Sequence, residues 1–283
     1  MAGPTKNSEG GKKMSKNEIP KQDPKQKKGL TNALKYFFGV GDAGFVLMSN
    51  IETFYFMTFL TDLAGFAAGV AGVINSVFTI VDACLSWLYG GIINGTKAKK
   101  WGRYRSWLIL TPWLVPFLYA GQFIRIGNGM AAVVFVTLAM ITSRIAWNLP
   151  FIASISMINV AAKTPEDRMA LSSSRSIWTS AASVVYSFVG PAVVSFFASI
   201  VGEANSYAAT AFVFACLMFA GMYAHFVMFK GYEPTGEEEA AMAAAMQKQV
   251  ADQPKVKAMD AVACNPHLIA LLLSDMLKYV VFF

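Results

Sequence analysis

The chain has 283 residues, 55% of them apolar and 14% charged, with a formal net charge of +7. Soluble domains carry about 45–50% apolar and about 25% charged residues, so a soluble domain, a disordered chain and a collagenous or disulfide-rich scaffold are all excluded. The mean hydropathy of +0.45 comes from apolar runs of twenty or more residues, the length that crosses about 30 Å of hydrocarbon as a helix. The fold class is therefore all-α, a polytopic membrane protein. Its basic charge lies in a tail and in short loops, which argues for membrane orientation and against nucleic-acid binding.

Residues 1–30 form a polar tail with eight lysines and three acids, without the apolar stretch of a signal peptide. The composition predicts a disordered, basic cytoplasmic tail. Residues 31–230 hold six apolar segments, at 32–61, 66–95, 106–126, 129–160, 169–200 and 205–230, read as a six-helix bundle. Residues 231–264 are a polar linker. The acids Glu237 to Glu239 lead into an alanine-rich run, which predicts one short helix there. Residues 265–283 form an incomplete seventh segment. That length is barely a span, so the chain is expected to be the front part of a longer protein.

The short loops set the orientation. Lys97, Lys99, Lys100, Arg103 and Arg105 lie between the second and third segments, and Lys163 and Arg168 between the fourth and fifth. The other side offers Arg125 against Asp62 and Glu203. The positive-inside rule places the N-terminus in the cytoplasm of a multi-pass cell-membrane protein.

A charge at the bilayer centre costs about 2.5–3.5 kcal/mol on insertion scales, so charges retained there should face a cavity or one another. The candidates are Asp42 and Glu52 in the first segment, Asp82 in the second, Arg144 in the fourth and Arg175 in the fifth. Asp275 and Lys278 form a local pair in the seventh. Asn75, Thr79, Asp82 and Ser86 are spaced four, three and four residues apart, on one helical stripe. Interhelical hydrogen bonding explains such a stripe in part; an ionisable carboxylate points to a wet pathway or a cation site. Arg144 and Asn148 follow at i,i+4, with Trp147 beside them and Pro150 after. Pro150 predicts either a broken helix near a binding site or a packing kink. Arg144 is expected to neutralise Asp82 or Glu52.

Gly39, Gly41 and Gly44 spell G-x-G-x-x-G, but no strand precedes them. A dinucleotide fold is excluded and close helix packing is expected. Cys84, Cys216 and Cys264 form no ligand pattern with His225 and His267, so no metal site or cofactor is expected. No nucleophile–base pair is visible either, and the chain is not read as an enzyme.

Together these residues resemble the glycoside–pentoside–hexuronide:cation symporters of the major facilitator superfamily. The resemblance is carried by Gly39-Val40-Gly41-Asp42-Ala43-Gly44, Thr61-Asp62, Asp82-Ala83 and the loop Lys100-Trp101-Gly102-Arg103-Tyr104-Arg105. Asn148-Leu149-Pro150 and the spacing of Arg168, Leu171 and Arg175 complete it. It covers about residues 30–283 and implies the N-terminal six-helix half of a twelve-helix fold plus part of helix 7. It also implies cation-coupled symport of a sugar, glycoside or hexuronide by alternating access, with sodium or a proton as coupling ion. Asp82 matches a cation-coupling carboxylate, and Asn148 and Arg175 match sugar-contacting positions. Trp101, Gly102, Arg103 and Arg105 match a conformational gate; Asp42 is placed with them as a capping or gating contact.

The departures from the family pattern shape the remaining expectations. Ser86 replaces the second acid of sodium-coupled members. Phe45, Val46 and Ile152 replace the Lys-Asp pair and the tryptophan of the melibiose-carrying member. Glu52 is expected to join Asp82 as a cation acceptor. Arg144, with Trp147 alongside, is expected at the substrate. The expected partners are a sugar or glycoside, the lipid bilayer and a missing C-terminal half. Two alternatives stay open: a transport-inactive truncated or split half, and a transporter of a non-sugar solute.

Overall fold

The structure is a computed structural model, and it describes residues 29–97, 100–236 and 238, with two further single positions, 270 and 274. The tail, the linker helix, the seventh segment and the Asp275–Lys278 pair lie outside the described residues. Among those described there are helices and no strands. Five helical stretches are long and apolar enough to cross a membrane.

Helix α1 (Asn32–Phe37) runs almost directly into α2 (Gly39–Thr58), and a π-helical turn, Phe59–Leu63, extends it to a 32-residue candidate span. Helix α3 (Ala68–Gly95) follows. The third apolar segment departs from expectation. It is split into α4 (Arg103–Leu110) and α5 (Val115–Gly121), neither long enough to span alone. The cause is local. Pro112 has no N–H to give to a carbonyl one turn back, and the chain turns instead through bonds from Leu114 N to Thr111 O and from Val115 N to Pro112 O.

Helix α6 (Met130–Ala161) runs unbroken through a buried Pro150, so of the two readings of this proline the broken helix is set aside. Helix α7 (Pro165–Val201) begins four residues before the expected start at 169. Thr164 caps it by accepting from Asp167 N at 3.1 Å, Pro165 occupies the first turn, and Glu166 and Asp167 suit the positive end of the helix dipole. Arg168 therefore belongs to the first turns of α7 and not to a loop. Gly202, at φ 82°, separates α7 from α8 (Glu203–Met228).

Helix α2 is the hub, packed against α7 and α8. The glycines on it make this approach possible. A Cβ on Gly44 would lie 2.6 Å from the Leu217 carbonyl oxygen, and one on Gly41 would overlap the His225 imidazole. The small-residue pattern thus serves helix packing, as expected. Polar links fix the seam. Ser174 Oγ donates to Tyr36 O (2.9 Å) and Trp178 Nε1 donates to the same carbonyl (2.8 Å), while Lys35 pairs with Asp167 at 2.6 Å. Outward-facing apolar side chains are abundant: Ile177 is 67% and Phe188 77% exposed. A helix with that outer face belongs in hydrocarbon or against another apolar surface.

Candidate functional site

Two charged clusters lie about 15 Å apart along α2, ten residues at about 1.5 Å each. The deeper one centres on Arg144 of α6. Its Nη2 lies 3.1 Å from Glu52 Oε1 of α2, and its Nε lies 3.7 Å from Asp82 Oδ2 of α3. Asn148 Nδ2, one turn on from Arg144, donates to Asp82 Oδ1 at 3.1 Å. The guanidinium is also sandwiched between aromatic rings, 4.3 Å from the Phe78 centroid and 4.4 Å from that of Trp147. Such cation–π contacts hold an arginine in place where water is scarce. The i,i+4 spacing of Arg144 and Asn148 puts both on the face that meets α3. Arg144 thus engages both acids that the sequence offered it, and not one of them.

Of the three charged side chains Asp82 is the most open, 27% exposed against 20% for Arg144 and 13% for Glu52. Trp147 is buried and packs edge-on against Phe45, and its indole N–H has no hydrogen-bond partner among the described residues. Asn75 and Thr79, further along the α3 stripe, are exposed, and the Ser86 side chain lies outside the described residues. Gln122 was not foreseen. It is fully buried with its amide beside the Glu52 carboxylate, although neither amide atom meets strict hydrogen-bond geometry among the described residues.

The second cluster joins Asp42 of α2 to Arg175 of α7, with Nε 3.0 Å from Oδ2. Asp42 has no exposed side-chain surface and Arg175 has 24%. Beside them a cavity of about 360 Å³ is lined by Phe45, Phe151, Ser172, Arg175, Ser176 and Thr179, among others. Phe45 and Phe151 stack at 3.9 Å, and the Arg175 guanidinium sits 5.0 Å from the Phe151 ring centroid. An apolar aromatic wall, one cation and three hydroxyls form a surface suited to a polyhydroxylated ring: the faces stack and the hydroxyls find partners. Of the substrate candidates named from sequence, Arg175 lines this cavity. Arg144, Trp147 and Asn148 belong to the deeper cluster.

At the basic end of the bundle the loop Trp101–Arg105 is tied to α8 and the residues after it. Gly102 adopts φ 97°, a left-handed conformation that favours glycine. Glu233 accepts from Tyr104 N at 2.8 Å and Arg105 N at 3.0 Å, capping α4 from far along the chain. Arg105 returns the contact. Its Nη2 and Nε donate to Phe226 O at 2.7 and 3.1 Å, and its guanidinium lies 4.5 Å from the Phe226 ring centroid. Trp101 packs edge-on against the same ring. Arg103 opens α4. The loop signature pointed to this region, but nothing in its spacing pointed to Glu233, which arrives only through folding. Asp42, grouped with the loop from sequence, pairs with Arg175.

The MFS/sugar transport protein family matches residues 37–283 of the chain. A putative glycoside/cation symporter of Escherichia coli, YagG, is 27% identical over 175 residues, 59% of this chain and 36% of that protein. The uncharacterized symporter sll1374 of Synechocystis sp. is 34% identical over 92 residues, 32% of this chain and 16% of that protein. The matched stretches thus cover at most 36% of either relative's length. With that match running over most of its length, on long apolar helices joined by buried charges, the chain belongs to the MFS/sugar transport protein family.

Proposed function

We propose that the chain provides the N-terminal half of a cation-coupled symporter for a sugar, glycoside or hexuronide, working by alternating access with its N-terminus in the cytoplasm. The observation that carries this reading is Arg144 held between Glu52 and Asp82. Two carboxylates share one guanidinium here, so a proton or a sodium ion taken up by either acid releases Arg144 to the other. Glu52 and Asp82 are the cation acceptors in this reading, and Arg144 is the counter-ion that exchanges between them. Arg175, with the Phe45–Phe151 wall, receives the substrate. Asn148 holds Asp82 beside Arg144 through its amide. The latch of Trp101, Gly102, Arg103 and Arg105 with Glu233 keeps the basic end of this half rigid while it rocks against a second half. The positive-inside distribution supports the orientation, and the names of the relatives support symport.

The test is uptake into proteoliposomes containing the intact transporter. Asp82→Asn should abolish accumulation against a gradient and spare equilibrium exchange. Accumulation that persists in this variant would remove Asp82 from coupling. A second reading is favoured by the short share of the relatives that the chain covers: these residues need a partner half to transport. Counterflow of a labelled sugar in vesicles carrying residues 1–283 alone would overturn that second reading. A non-sugar solute is the remaining alternative, since fold does not fix substrate, and a panel of labelled glycosides and hexuronides that all fail to bind would favour it.

A further inference from the structure

His225 of α8 has no exposed surface, yet both of its ring nitrogens are engaged. Nε2 lies 2.6 Å from the Phe38 carbonyl oxygen. A carbonyl only accepts, so Nε2 carries a hydrogen. Nδ1 lies 2.8 Å from Ser154 Oγ. A hydroxyl both donates and accepts. With a neutral imidazole, Ser154 donates to Nδ1; with an imidazolium, Nδ1 donates to Ser154. The same heavy-atom positions satisfy both charge states. The ring is stacked on Phe38 at 4.9 Å and occupies the space left by the missing side chain of Gly41.

Asp42, the residue after Gly41, is fully buried on the stretch of α2 against which the His225 ring packs. Its ion pair with Arg175 is short at 3.0 Å, but neither carboxylate oxygen meets hydrogen-bond geometry among the described residues. The guanidinium therefore approaches off-axis. Arg175 is also the one member of the three that lines the cavity.

We propose that Asp42 and His225 form a proton-binding site, separate from the Arg144 cluster, that sets the position of Arg175. A proton taken from water adds to Nδ1 of His225, which then donates to Ser154. Asp42 now faces two cations, and the partly exposed Arg175 turns towards the cavity wall at Phe45 and Phe151. Loss of the proton returns Arg175 to Asp42. Among the described residues the charged groups around His225 are Asp42 of α2 and Arg175 of α7. Phe38, between α1 and α2, and Ser154 of α6 are uncharged, while Arg105 of α4 is engaged at the neighbouring Phe226 carbonyl. The proposal rests on the function above only for the cavity as a solute site, and not on the coupling role of Glu52 and Asp82.

The His225 imidazole signal is assigned by its loss in His225→Gln. The intact transporter, labelled with 15N histidine and arginine in nanodiscs, is followed by NMR across pH. The expected result is an Nε2–H tautomer at alkaline pH and protonation of both nitrogens at acid pH. The Arg175 Nε–H signal, assigned by its loss in Arg175→Lys, should shift with the same midpoint. In His225→Gln, whose amide can donate to Phe38 but cannot titrate, the pH-dependent Arg175 shift should be lost. An imidazole signal that never changes, or one that titrates while Arg175 stays still, overturns the proposal. Asp82→Asn should leave the Arg175 shift intact, so failure of the coupling role is read separately.

Discussion

Removing the charge of Arg144 is the sharpest test of the deeper cluster. Arg144→Gln leaves Glu52 and Asp82 without their shared cation, in a site where their side chains are only 13% and 27% exposed. At an effective dielectric near 20, the 3.1 Å contact to Glu52 carries about 5 kcal/mol of attraction. Partial exposure and the protonation of a stranded carboxylate reduce what is lost, and breaking a buried pair on one side typically costs about 3–5 kcal/mol. The loss here should be about 2–4 kcal/mol, which lowers the melting temperature of a chain of this size by about 4–16 °C. The assay is thermal unfolding in detergent, read by tryptophan fluorescence, on the wild type, Arg144→Gln, Glu52→Gln and the double variant. Neutralising Glu52 in the Arg144→Gln background should recover about half of the loss or more, because the stranded charge is gone. A single variant that melts within about 1 °C of the wild type, or a double variant that is strictly additive, would show that Arg144 does not hold these carboxylates.

Three further outcomes are expected. Gly41→Ala should destabilise the bundle by about 1–3 kcal/mol through overlap with His225, whereas Gly69→Ala, with nothing within 4 Å of its new methyl, should change the melting temperature little or raise it. Glu233→Gln should weaken the cap on α4 and speed hydrogen exchange at the Tyr104 and Arg105 amides by about five- to tenfold, for about 1 kcal/mol lost; unchanged exchange would show that the cap carries no weight. Thr164→Ala should fray the first turn of α7 at a cost of about 1 kcal/mol, visible as faster exchange at Asp167 with the centre of the helix unaffected.

Much of this was legible because hydropathy acts residue by residue. A run of apolar side chains either enters hydrocarbon or does not, and the continuous span Asn32–Leu63 and helices α3, α6 and α8 start and stop within a few residues of where their runs do. The early start of α7 was legible too. Thr164-Pro165-Glu166-Asp167 is a capping sequence, and counting apolar residues alone passes over it. The split of the third segment turns on Pro112, a backbone constraint that hydropathy does not register. His225 was visible as an ionisable residue inside an apolar run. It drew notice only for metal binding, although the rule that singled out Asp42 and Glu52 covers histidine as well.

By itself the sequence determined that these segments leave water, which side of the bundle is basic, and which few charges must find company once there. Those follow from transfer free energies that each residue carries with it. Which charge meets which was decided by the packing of helices far apart in sequence. Arg144 reaches both Glu52 and Asp82, Asp42 turns to Arg175, and Glu233 reaches back to α4. A charge in a dry interior is stabilised only by a partner within a few ångströms, and that distance exists only in the folded chain.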